Sequence, residues 1–267
     1  MSYTITIKVN LAVIQITTEQ TMKKTLLTLA VASAFSISAQ AEQFWSDNSI
    51  SVLQGSDYEF NKTNEESNLT TMTLEHVSGH SWGSVFAFVD RHVAGDFQET
   101  YAEVSPSFTL TKMDGVVSSI NAAFTYESGS TTTGVNQDNY LYGVGADLKI
   151  PGMDFASATV YYAANRVGTD FGTTASNDKQ ITLTYGVSSG NLALDGYIDY
   201  SFDNNEDDGA FNVDSFHFNP QITYNLGPAL GTSNKVKLGV EYSYWDSQFG
   251  KEGQDQNAVS LILKAHL

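Results

Sequence analysis

The chain has 267 residues, with 13 Lys and Arg against 30 Asp and Glu and a formal net charge of −17 at pH 7. So acidic a balance argues against a nucleic-acid binder, which neutralises phosphates with Lys and Arg. The absence of Cys excludes a disulfide framework and thiolate metal sites. No apolar stretch after residue 41 is long enough to span a bilayer as a helix.

Met22-Lys23-Lys24, the apolar run Leu26 to Ile37 and Ala39-Gln40-Ala41 form the charged, apolar and cleavage regions of a secretory signal peptide. This predicts export, a signal peptide at 22–41 and a mature start at Glu42. Residues 1–21 precede a complete signal and read as an upstream extension, with Met22 the true initiator.

From 42 to 267, apolar and polar residues alternate in twelve segments separated by turn-rich links. That rhythm is the mark of a transmembrane antiparallel up-and-down β-barrel, in which lipid-facing and lumen-facing side chains alternate. Strands are expected near 49–54, 69–77 and 82–91. The next is 100–110, with Ala102, Val104, Pro106, Phe108 and Leu110 on one face and Tyr101, Glu103, Ser105, Ser107 and Thr109 on the other. Pro106 is a cost there, since it removes a ladder donor. Strands follow at 116–127, 140–150, 155–165 (either facing fits), 180–187, 192–202, 215–226, 235–245 and 258–267.

The links at 78–81, 111–115, 151–154 and 188–191 read as tight turns, and those at 57–68, 128–138, 167–178, 203–214 and 246–256 as longer polar loops. In this class short turns face the periplasm and long loops the outside, which places both ends of the barrel in the periplasm. Tyr126, Tyr140, Tyr142, Tyr200, Phe202, Phe216, Phe218, Tyr242 and Tyr244 fall near the outer strand ends on the apolar parity, as an interfacial girdle requires.

Parity turns Glu75, Asp90, Glu103, Glu127, Asp147, Asp195, Asp199 and Glu241 inward, with Lys149, Lys237 and Lys264 among the few cations and Trp82, Phe86, Phe88, Tyr101, Tyr197 and Trp245 as inward rings. Rings beside carboxylates suit a small solute with a flat apolar face and a hydroxylated side. A π-face stacks any base, and carboxylates accept hydrogen bonds from hydroxyls and amino groups. A negative lumen repels phosphorylated solutes.

Several segments resemble the Tsx family of nucleoside-specific outer-membrane channels, including its OmpK-like branch. They are Trp82-x-x-x-Phe86-x-Phe88-x-Asp90, Glu103-x-x-Pro106-x-Phe108-Thr109-Leu110-x-Lys112-Met113, Gly143-x-Gly145-x-Asp147, Asn219-Pro220-Gln221, Leu238 to Trp245, and Phe249-Gly250. The resemblance implies a monomeric twelve-stranded barrel in a Gram-negative outer membrane, bedded in lipid and lipopolysaccharide. It implies a passive porin for nucleosides or similar small solutes, with no cofactor and no metal, and exposed loops that phages exploit. On the matched motifs it places solute binding at Phe86, Phe88, Asp90, Glu103, Asp147, Glu241 and Trp245. The chain departs from the family in ending on Leu267 rather than an aromatic residue, and in its loose match over strands seven to nine.

Two other readings compete with a non-enzymatic channel. A lipid-acting barrel enzyme needs a nucleophile within reach of a base; His76, His92 and His217 are the candidate bases and Ser84 or Ser215 the candidate nucleophiles. A surface receptor or adhesin would use its loops. The acidic run 203–209 reads as solvated charge, since complete EF-hand spacing is missing. The loop pattern predicts that protease added to intact cells cuts at 61–67 and 210–212 but not at 151–153. Cleavage at 151–153 from outside would invert the barrel.

Overall fold

The structure, a computed structural model, describes residues 42–59, 66–169, 172–203, 213–232 and 235–267. The expected extension and signal peptide therefore lie outside the described residues, as does nearly all of the acidic run 203–209. The barrel occupies the compact unit Trp45–Leu267; of the other unit, Met1–Phe44, only 42–44 are described.

Twelve strands form the barrel: β1 (Gln43–Glu59), β2 (Glu66–His80), β3 (Gly83–Ala94), β4 (Phe97–Lys112), β5 (Val117–Thr131), β6 (Asn136–Leu148), β7 (Phe155–Thr169), β8 (Gly172–Ser189), β9 (Leu192–Phe202), β10 (Ser215–Asn225), β11 (Val236–Asp246) and β12 (Gln256–His266). Each pairs with its chain neighbours, and β12 returns antiparallel onto β1, from Ser49 opposite His266 to Ser56 opposite Val259. The sheet is closed, all-β and antiparallel, as the alternation predicted.

Burial is inside-out relative to a soluble domain. On β12, Ala258, Ser260, Ile262 and Lys264 are buried while Val259, Leu261 and Leu263 are exposed. On β10, His217, Asn219 and Thr223 are buried while Ile222 and Tyr224 are exposed. Polar groups inside and large apolar groups outside are what a barrel in lipid requires. The facing of β7 is settled by Val160 and Tyr162, which are half-exposed beside buried Ala163.

The expected aromatics pack against one another in two arcs. One holds Tyr126 against Tyr140 and Phe124 against Tyr142; the other links Tyr200 with Phe202 and joins Phe216, Phe218, Tyr242 and Tyr244. Tyr126 Oη donates to Asp138 Oδ1 at 2.5 Å and Tyr200 Oη to Asp214 Oδ2 at 2.5 Å. The ring bodies thus cover strand while their hydroxyls reach polar groups, Asp138 near the start of β6 and Asp214 just before β10.

The link lengths differ from expectation. The links expected at 128–138 and 167–178 are largely strand, because β5–β6 and β7–β8 keep pairing to Ser130–Asn136 and Thr169–Gly172. Only Gly95 and Asp96 separate β3 from β4, with Gly95 at φ 58. At the terminal end, where β1 starts and β12 finishes, the link from Asn225 to Val236 is long. A polar alternating segment above the apolar belt pairs as well as one within it; the sequence pattern marks where apolar side chains stop, not where hydrogen bonding stops.

Both strand prolines sit where one ladder skips. Pro106 pairs with Val85 of β3, but the β4–β5 register passes from Val104 to Ser107; Pro220 pairs with Gly196, but the β10–β11 register passes from Phe218 to Gln221. The missing donor of each proline is spent where no bond is due. Close strand approach also depends on glycine. A Cβ on Gly239 would lie 2.0 Å from the Ile222 carbonyl oxygen and 2.7 Å from Thr223 Cα, both backbone. Gly239→Ala should therefore destabilise the barrel by about 1–3 kcal/mol, read as a lower urea midpoint in detergent micelles; an unchanged midpoint would show that β10 and β11 can spread there.

Candidate lumenal site

Phe86, Phe88 and Asp90 share one face of β3, the one opposite to that of exposed Val89 and Val93, and stand opposite Val77, Glu75 and Thr73 of β2; Phe86 is itself 37% exposed. The Phe86 and Phe88 rings lie 5.7 Å apart, and Phe88 lies 5.8 Å from Tyr101 of β4. This is a continuous aromatic strip along the inner wall. Tyr101 Oη donates to Glu103 Oε1 at 2.6 Å. Glu103 stands opposite Phe88 on one side and Glu127 of β5 on the other. Asp90 accepts from Thr73 Oγ1 at 2.5 Å and lies 3.7 Å from His92 Nε2.

Carboxylates from opposite walls converge at this level. Tyr197 of β9 is within electrostatic reach of Asp199, Glu241, Glu103 and Asp90, which come from four different strands. Each carboxylate is steadied by a neutral donor: Glu127 by Asn139 Nδ2 at 2.8 Å, Asp199 by Thr182 Oγ1 at 2.6 Å, and Glu241 by Gln221 Nε2 at 2.7 Å. Fixed, hydrogen-bonded acceptors of this kind keep lone pairs free for a donor-rich solute.

Two of the seven expected site residues stand apart from this cluster. Asp147 lies near the terminal end of β6, where it accepts from Ser119 Oγ at 2.5 Å and Asn121 Nδ2 at 2.9 Å. Trp245 lies at the far end of β11, stacked on His217 at 3.8 Å and against Phe249 at 5.5 Å. Parity assigned their faces but not their heights. Trp82, expected inside, sits in the turn before β3 and packs at 4.9 Å on Phe108, which belongs to the outward set of β4. Lys149, expected as an inward strand residue, is exposed in the link after β6.

Tyr58 joins the inner wall against expectation. Asp57 has φ 65, which breaks the alternation of β1 and turns the next ring inward. Its hydroxyl meets Ser260 Oγ at 2.8 Å, and its ring occupies the space that a Cβ on Gly55 would take, 2.6 Å away. Gly55 and Asp57 inside a strand pattern are the signal for such an irregularity. Of the cations, Lys264 donates to Glu75 Oε1 at 3.0 Å.

A family model described as a domain of unknown function, DUF5020, matches residues 54–260. The chain belongs to the DUF5020 family. Among solved structures, this DUF5020 barrel is similar to the NanC porin, at 12% identity over 82% of this chain and 100% of that chain, with a TM-score of 0.50. It also matches the KdgM porin, at 10% identity over 81% and 98% of the two chains with a TM-score of 0.45. A third match is the translocator domain of the autotransporter NalP from Neisseria meningitidis, at 12% over 93% and 97% with a TM-score of 0.44. Likeness at such identity is one of fold. No curated protein matches the sequence.

The Lys264–Glu75 pair makes a test of how the inner wall is held. Lys264 is 9% exposed, so Glu75→Ala strands an enclosed ammonium and should cost about 1–3 kcal/mol. Stability of the purified DUF5020 protein to urea measures this; a loss below a few tenths would mean that water already screens the pair.

Proposed function

We propose that the protein is a monomeric outer-membrane channel of a Gram-negative cell that passes nucleosides or similar small solutes by diffusion. The observation that carries this reading is the aromatic strip Phe86–Phe88–Tyr101 lying beside Asp90 and Glu103 on one inner wall. The signal peptide expected at 22–41, the apolar outer wall and the porin-like fold support the location, with lipid and lipopolysaccharide around the barrel. The resemblance to Tsx channels narrows the solute to nucleosides. The base stacks on Phe86 or Phe88, and the ribose hydroxyls donate to Asp90 or Glu103. Glu241 completes the ring of acceptors from the opposite wall. Asp147 and Trp245 flank this level toward the two mouths, where they meet the solute on entry and exit. Each contact is weak enough to release, as conduction requires.

The test is a planar-bilayer recording. Adenosine or thymidine at millimolar concentration should lower single-channel conductance, and the matching nucleotide should not. Phe88→Ala should weaken the block by about 1–3 kcal/mol, the range for one base–aromatic stack. Asp90→Asn should keep most of the stacking and admit phosphorylated solutes more readily, because one lumenal negative charge is gone. Conductance indifferent to every nucleoside would remove the solute assignment and leave the barrel standing.

A further inference from the structure

On the outer wall, four polar side chains of β1 and β2 run in single file. Asn48 Oδ1 lies 2.8 Å from His76 Nδ1, His76 Nε2 lies 3.0 Å from Ser78 Oγ, and Ser78 Oγ lies 2.9 Å from His80 Nε2. His76, Ser78 and His80 continue the outward parity of the exposed Met72 and Leu74, and stand opposite Ala87, Val85 and Gly83 of β3. The file therefore begins where the apolar belt of β2 stops and ends at the turn before β3. Phe108 and Leu110 of β4, exposed beside and beyond the end of the file, keep apolar surface next to it.

With Asn48 Oδ1 turned to His76, the proton positions follow. An amide oxygen only accepts, so His76 Nδ1 carries hydrogen and its Nε2 is a bare acceptor. Ser78 Oγ then donates to His76, and His80 Nε2–H donates to Ser78. A hydroxyl on a base, with the base oriented by a third group, is the arrangement that activates a serine. The pairing also differs from sequence expectation: His76 meets Ser78, not Ser84 or Ser215. His92 and His217 are engaged elsewhere, with Asp90 and Glu99 and with Trp245 and Ser243. Beside the file, His80 Nδ1 and Trp82 Nε1 are buried without hydrogen-bond partners, although the two rings stack at 5.0 Å. Both atoms are free to bond an incoming group.

We propose that Asn48, His76 and Ser78 form a serine acyl-hydrolase triad on the lipid-facing wall, acting on the carboxylic esters of membrane lipids. Ser78 Oγ bonds to the acyl carbon as its proton passes to His76 Nε2, and the carbonyl oxygen takes the negative charge. Nε2–H of His80 is the donor placed to meet that oxyanion. Collapse breaks the ester C–O bond, and the departing lysolipid oxygen takes the proton from His76. Water then gives a proton to His76 and attacks the acyl-serine, releasing the fatty acid and restoring Ser78. Asn48 is a positioning residue that holds the reactive tautomer. Ser78 is 1% exposed beneath the imidazoles. His80 stacks on Trp82 and bonds Ser78, and it is the ring that must move aside for an entering acyl chain.

This inference is independent of the channel reading. The test presents folded, purified protein with mixed micelles of phosphatidylethanolamine and phosphatidylglycerol and measures fatty-acid release. In parallel, a fluorophosphonate probe is applied and its adduct mapped. Wild type should release fatty acid and carry the adduct on Ser78. Ser78→Ala should abolish both, and His76→Asn should slow release at least 100-fold, with both variants retaining the heat-modifiable mobility of a folded barrel. Asn48→Ala should slow release about 10-fold or more. Asn48→Asp should recover most of the rate with the pH–rate profile displaced, since a carboxylate strengthens the base; a merely structural Asn48 would leave that profile unmoved. Folded wild type that releases no fatty acid and takes no adduct at Ser78 would overturn the proposal, as would release that persists in Ser78→Ala.

Discussion

Backbone hydrogen bonding in the absence of water is the constraint on which the rest of the structure depends. Hydrocarbon offers no partner to an open N–H or carbonyl, so a sheet can face lipid only if it has no edge. Closure of β12 onto β1 removes both edges at once. The ordering of polar and apolar side chains follows from it. With the backbone satisfied within the wall, the outer side chains need only be apolar. The inner ones are free to be Ser, Thr, Asn, Gln and charged groups that bond one another. Even the two prolines obey the same accounting, each placed at a gap in one ladder.

The interior that results is electrically layered. Carboxylates from opposite walls gather in the middle of the tube, whereas Lys237 and Lys264 face each other across β11 and β12 near the terminal end. Neutral donors hold the central carboxylates in fixed positions, so the field inside is set by the wall.

Most of the fold was legible because a one-residue shift in a strand changes the face of every side chain after it. The strict alternation on β10 to β12 left one choice of facing, and the inward set of β3 and β4 followed in the same way. Legibility failed where alternation carries no height. Asp147 and Trp245 share a face with Phe88 but not a level, because parity says nothing of distance along the strand. It failed at Tyr58, expected in the link at 57–68 but carried on β1 past the left-handed Asp57. It failed again at β7 and β8, whose upper halves are polar on both faces and yet remain paired. The pairing of His76 with Ser78, two residues apart on one strand face, emerges only with the side chains in place.

The seam between the first and last strands also sets an order of events. Tyr58 and Ser260, bonded across it, are 202 residues apart in the chain. Every other ladder joins strands adjacent in sequence and can form as soon as a hairpin is complete, while the seam must wait for the final strand to be synthesised. Contacts of such long range are slow to form, and until they do the growing sheet carries two unpaired edges along its full height. An unfinished barrel is therefore a sticky object. The last eleven residues of strand, β12, convert it in one step from an aggregation template into a closed wall.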